Sequence, residues 1–145
     1  MFNLHAMEDL KKHFGEIVKE VHVSNVNRIT MTVDPASIVE VCRYLFSDRH
    51  FRFIIATALE TKAGIEILYH FSRDASGLIL NVRVVLDKHK TEVESLTGLF
   101  EAANWIEREM HEIMGIQFKN HPNLEKLISD GNWAEGVFPY RESDK

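Results

Sequence analysis

The densest set of chemistry-bearing side chains lies in the run Ala103-Asn104-Trp105-Ile106-Glu107-Arg108-Glu109-Met110-His111-Glu112-Ile113-Met114-Gly115-Ile116. Three carboxylates with a histidine among them are the residue types of general acid–base catalysis. Their spacing argues otherwise. On a helix, Glu107 and Glu109 point to different sides, and Arg108 stands between them. The pattern therefore reads as structural and interface salt bridges, with Arg108–Glu112 and Glu107–His111 at pairing distance along the helix. His111-Glu112 opens like a zinc-protease helix, but that chemistry needs a second imidazole one turn on, where Gly115 stands. The eight histidines (His5, His13, His22, His50, His70, His89, His111 and His121) are scattered, with no pair at ligand spacing, so no metal site is expected. No nucleophile elbow, phosphate loop or dinucleotide fingerprint appears. The lone Cys42 excludes an internal disulfide and a four-cysteine cluster, and its place on an apolar stripe makes it a small core residue.

The elements that must position this run can be read from periodicity. Leu10, Phe14, Ile17 and Val18 recur at helical steps, predicting an amphipathic helix from Met7 to about Glu20. Val21 to Val33 alternates at period two, with Asn25 and Asn27 placed to turn between two strands. Asp34-Pro35 is a helix start, followed by the stripe Ile38, Val39, Cys42, Leu45 and Phe46. Strands are expected over Phe51–Leu59, Ile65–Phe71 and Leu78–Leu86, joined by turns at Lys62-Ala63-Gly64 and Asp74-Ala75-Ser76-Gly77. Asp87 to Glu94 reads as a loop. The charged helix is expected from Phe100 to Met114 with the stripe Ala102, Ile106, Met110 and Ile113, and Gly115 suits the left-handed position after its end. A short helical turn should follow Asn123. The expected fold is α+β: an antiparallel sheet meander with helices packed on one face, then the charged helix and an extended C-terminal tail. Residues 1–145 form one domain in this reading, with 129–145 as a partner-docking tail, because Trp133, Phe138 and Tyr140 have little around them in sequence to bury against.

Bulk properties narrow the function classes. At 145 residues, with 45% hydrophobic and 27% charged content, the chain has the balance of a globular domain. A net charge of -5 argues against non-specific nucleic-acid binding, which needs a basic face. No apolar run reaches spanning length and the N-terminus does not read as a signal peptide, so a cytosolic location is the default expectation.

The run also carries a resemblance. Glu107-Arg108-Glu109, two residues, acidic Glu112, apolar Ile113-Met114, a six-residue gap and His121 resemble the signature of the 30 kDa subunit family of respiratory complex I and of the related membrane-bound NiFe hydrogenases. Ser95-Leu96-Thr97, Leu99-Phe100 and Ala103-Asn104-Trp105 resemble its lead-in, and the similarity extends from Ser95 to about Tyr140. One position departs: Glu125 stands where the family has Lys, Arg or Pro, with Lys126 next to it.

The resemblance implies a subunit without redox centre or catalytic residues of its own. It would scaffold a large catalytic subunit in the peripheral arm of a membrane complex, on the cytoplasmic face. A NiFe centre and iron–sulfur clusters would sit in partner subunits, and iron–sulfur and membrane subunits would be further partners. The residues implied in partner binding are Glu107, Arg108, Glu109, Glu112, His121, Pro122, Trp133, Phe138, Tyr140 and Arg141. The chain stops soon after Glu135-Gly136-Val137-Phe138-Pro139-Tyr140-Arg141, a compact ending that looks more like the small subunit of Ech-type energy-converting hydrogenases. A complex I-like dehydrogenase using NADH, F420 or ferredoxin is the alternative. A free-standing enzyme using the Glu107/His111/Glu112 face is a third reading, from a different class.

Overall fold

The computed structural model describes residues 2–124, together with Phe138 and Arg141. The elements run α1 (Phe2–Phe14), a 3-10 turn (Gly15–Ile17), β1 (Val18–Asn25), β2 (Arg28–Val33), a second 3-10 turn (Pro35–Ser37) and α2 (Ile38–Ser47). Then come β3 (Arg52–Thr61), β4 (Gly64–Arg73), β5 (Leu78–Leu86), β6 (Glu92–Glu94), α3 (Ala103–Met114) and β7 (Gln117–Lys119). Five strands hydrogen-bond in the order β1-β2-β5-β4-β3, and β6 and β7 form a separate pair. The α+β class matches the expectation.

The short connections make most of the sheet antiparallel, since tight hairpins permit nothing else. Asn25 Oδ1 accepts the Asn27 N–H at 2.8 Å and closes the turn between β1 and β2. One junction departs from a simple meander. β2 runs parallel to β5, with Ile29 opposite Leu80 and Met31 opposite Val82. A parallel neighbour needs a long crossover, and the stretch containing α2, β3 and β4 supplies it. Period-two alternation shows which face a strand buries, but says nothing about which strand lies beside it.

Two other expectations shift. The first helix ends at Phe14 rather than near Glu20, because Val18 and Glu20 are recruited into β1 opposite Val33 and Thr32. Pairing with a distant strand overrides local helical periodicity there. Within the expected 87–94 loop, β6 forms and pairs in parallel with β7, Val93 opposite Phe118. A three-residue strand with one buried side chain leaves no periodic trace.

By density of contacts the chain divides into two compact units. The first comprises residues 1–54 and 68–84. Here Asp34 Oδ1 caps the Ala36 N–H at 3.0 Å, with Pro35 at the first position, as anticipated. α2 then buries Ile38, Val41, Cys42 and Leu45, while Phe46 stays exposed. The His13 ring of α1 stacks on Tyr44 of α2 at 3.8 Å. Leu78, Leu80, Val82 and Val84 all point into the core, the one-sided alternation that the sequence showed.

The second unit comprises residues 55–67 and 85–145, and its described core includes Ile65, Ile67, Leu86, Leu96, Phe100, Met110, Met114, Ile116 and Phe118. Gly64 opens β4 at φ +148, and a Cβ there would collide with the Leu86 carbonyl oxygen. Both the positive φ and the backbone approach exclude a side chain. Gly64→Ala is therefore expected to destabilise the protein by about 2 kcal/mol or more, read as a lower urea midpoint at unchanged slope. An unchanged midpoint would contradict this close approach.

Candidate functional site

α3 is the element on which the charged run lies. Its inward stripe is Ala103, Glu107, Met110 and Met114, at helical spacing, and Glu112 is buried beside it. The expected stripe of Ala102, Ile106, Met110 and Ile113 is rotated away from this: Ala102 is exposed, and Ile106 and Ile113 are half-buried. Apolar counting misplaced the helix because two of its five buried positions, Glu107 and Glu112, are carboxylates.

Glu107 is 1% exposed. Its Oε1 accepts the Ser95 hydroxyl at 2.5 Å, and its Oε2 accepts the Leu96 backbone N–H at 2.8 Å. Ser95 Oγ also lies 2.9 Å from Thr97 Oγ1 and accepts the Thr97 N–H at 3.1 Å. The segment before the helix is thus folded around its carboxylate. A buried charge is costly unless it is hydrogen-bonded, and these donors lower the cost.

His121 closes the corner from the other side. Its Nε2 lies 4.0 Å from Glu107 Oε1, and both side chains are almost wholly buried. The Asn123 N–H points at Nδ1 from 3.0 Å, so Nδ1 must be an unprotonated acceptor, and Nε2–H donates to the Asn104 carbonyl at 3.1 Å. The imidazole is held in one orientation, as a tie between the end of β7 and the start of α3. Next to it, Asn120 donates to Glu94.

Burial pushes the Glu107 carboxyl up to about 7; the Leu96 and Ser95 hydrogen bonds pull it down, and the Glu94 charge pushes it further up. Ser95 suits either state of the carboxyl. Its hydroxyl can donate to the ionised form, or accept from the neutral form and donate to Thr97 instead. A folded-state value above the ordinary 4.5 means that the folded chain holds this proton more tightly than the unfolded chain. Stability should therefore fall as pH rises from about 4.5 to about 7, by about 3 kcal/mol, and then level off. Glu107→Gln keeps the shape and the Leu96 acceptor, and should remove this slope from urea midpoints measured between pH 5 and 7.5. An identical slope in the variant would assign it to other groups.

The other expected site residues fall in different places. Glu112 is buried, Arg108 is half-buried, and Glu109 and Pro122 are exposed. Glu107 and Glu112, expected at an interface, are thus enclosed within the chain itself. His111 does not reach Glu107; its Nδ1–H donates to the Ile116 carbonyl at 2.8 Å and caps the helix end. Gly115 takes the left-handed position anticipated for it, at φ 73, and a Cβ there would overlap the Phe138 ring. Arg141 donates from Nε to the Met114 carbonyl at 2.6 Å and from a terminal nitrogen to Thr91 Oγ1 at 2.9 Å. Phe138 and Arg141 therefore lie on the second unit. Trp133, Tyr140 and the helical turn expected after Asn123 lie outside the described residues. Sequence reading overlooked Trp105, which is 65% exposed on α3 between Glu101 and Glu109. A tryptophan on the polar ridge of an amphipathic helix was the available signal. No group of three or more potential metal ligands occurs among the described residues.

Comparison with known proteins defines the class. The family pattern of the 30 kDa subunit of the respiratory-chain NADH dehydrogenase matches residues 31–145, and the chain belongs to that family. It is 31% identical over 139 residues to a subunit of the F(420)H(2) dehydrogenase of Methanosarcina mazei, covering 94% of this chain and 87% of that one. It is 28% identical over 134 residues to a subunit of the NADH-quinone oxidoreductase of Mesorhizobium japonicum, covering 86% of this chain and 66% of that one. Its fold is similar to that of a chain in the membrane-bound sulfane sulfur reductase, an archaeal respiratory membrane complex. That match has a TM-score of 0.86 at 20% identity and covers 100% of this chain and 86% of the other.

Proposed function

We propose that the chain is a non-catalytic, peripheral-arm subunit of a membrane-bound respiratory dehydrogenase of the F420H2 or NADH-quinone type. The observation that carries this reading is the family match over residues 31–145. The dehydrogenase relatives favour it over the hydrogenase assignment drawn from the compact ending. Chain length does not separate the two, because the aligned region already spans 87% of an F420H2 dehydrogenase subunit. A free-standing acid–base enzyme loses its main support, since the Glu107 carboxylate is buried and engaged within the chain.

In this reading the neighbour is a large catalytic subunit like the 49 kDa subunit of complex I. Iron–sulfur clusters lie in other subunits, and the assembly sits on the cytoplasmic face of the membrane. Among the described residues no helix is long and apolar enough to cross a membrane. The outer ridge of α3 is the docking element. Trp105 supplies the large apolar anchor typical of interface centres, Arg108 and Glu109 lie one turn on along α3, and Pro122 is a further exposed candidate. The segment reaching Arg141 would contribute Trp133, Phe138 and Tyr140.

The test is affinity purification of the tagged protein from its native cells in mild detergent, with subunit identification, metal analysis and oxidation assays with F420H2 and NADH. A large catalytic subunit, iron without nickel, and one of the two activities are expected. Trp105→Glu should lower recovery of the large subunit about tenfold or more while leaving the melting temperature of the isolated chain within a degree or two. Stoichiometric nickel would restore the hydrogenase assignment. Recovery of the chain alone, with an intact control complex, would refute the subunit reading.

A further inference from the structure

Away from the Glu107 corner, the second unit has a depression of about 330 Å³ lined by three cations, Lys88, Lys90 and Arg141, and one carboxylate, Glu92, with Gln117 and Phe138 among its other walls. Its charges do not balance. Lys88 Nζ lies 3.3 Å from Glu60, and Lys90 Nζ lies 3.7 Å from Glu92. Arg141 has no carboxylate among the described residues. Its guanidinium donates only to neutral oxygens: the Met114 carbonyl, Thr91 Oγ1 at 2.9 Å and, weakly, the Lys88 carbonyl at 3.5 Å. Phe138 lies under it, with the guanidinium carbon 5.5 Å from the ring centroid.

These contacts fix the guanidinium plane, and no carboxylate among the described residues neutralises it. Described residues engage three of its five N–H groups, one on each nitrogen. Two N–H groups on adjacent nitrogens match the two oxygens of a carboxylate or a phosphate. The aromatic contact and the neutral clamp pre-organise the fork, so little side-chain freedom remains to be lost on binding. Lys88 and Lys90 offset the carboxylates they pair with, so Arg141 supplies the net positive charge, and Gln117 offers a neutral polar contact at the rim.

We propose that this depression is an oxyanion-binding site centred on Arg141, taking a phosphate or carboxylate group. It is independent of the assignment of the chain to a respiratory complex, and it concerns an activity of the isolated chain.

The test is an NMR titration of the isotopically labelled chain with inorganic phosphate and, separately, with acetate at constant ionic strength. The Arg141 side-chain N–H and the amides of residues 88–91 should shift and saturate with at least one of the two anions. Tighter binding of phosphate would point to a phosphate-bearing natural ligand, and tighter binding of acetate to a carboxylate. Arg141→Gln should abolish the saturable shift. Because that change also removes the clamp, Lys90→Gln provides the second reading: its side chain is exposed, so the fold should be unaffected while affinity falls about threefold. No saturable shift with either anion, or unchanged affinity in Arg141→Gln, would overturn the proposal.

Discussion

The structure around α3 depends on one buried carboxylate. Glu107 sits where an apolar helix would place a leucine or methionine, and it is tolerated there because Ser95 and the Leu96 N–H are aimed at it. The constraint runs both ways. A carboxylate so enclosed requires donors, so the turn before α3 cannot relax without leaving it unsatisfied. His121 extends the same logic to the segment after β7, since its two ring nitrogens have opposite hydrogen-bonding roles and tolerate only one orientation. One helix, the turn before it and the turn after β7 are thereby held as a unit. Polar satisfaction achieves this as much as apolar packing.

The end of α3 works by a different device. Gly115 lets the chain reverse and leaves room for the Phe138 ring, and Arg141 then donates to the carbonyl exposed at Met114. The last carbonyls of a helix lack intrahelical donors, and a cation placed there also meets the negative end of the helix dipole. Residues far apart in sequence are joined in this way through main-chain groups, which any side-chain pattern would miss.

That contrast explains what could be read in the sequence. Strand faces were legible, because Leu78, Leu80, Val82 and Val84 obey a local rule. The cap at Asp34 and the stop at Gly115 were legible for the same reason. The parallel β2–β5 pairing, the small β6–β7 pair and the start of β1 at Val18 were not, since each depends on a distant partner. At the site, the signature named Glu107 and His121 as important but could not show that both turn inward. Family motifs do not distinguish a residue that supports the fold from one that meets a partner. Burial shows that Glu107 and Glu112 are enclosed by the fold, while Trp105 is exposed on the same helix.

The most direct measurement of this account is the titration of the Glu107 side-chain carboxyl carbon by NMR, in a chain labelled at glutamate and assigned with Glu107→Gln. A midpoint near 7, with the Leu96 amide moving in step, is the predicted result, because burial must dominate over two hydrogen bonds for the carboxyl to hold its proton there. A midpoint at or below 4.5 would mean that the carboxylate is well solvated or far more strongly stabilised, and would contradict the buried corner on which the rest is built.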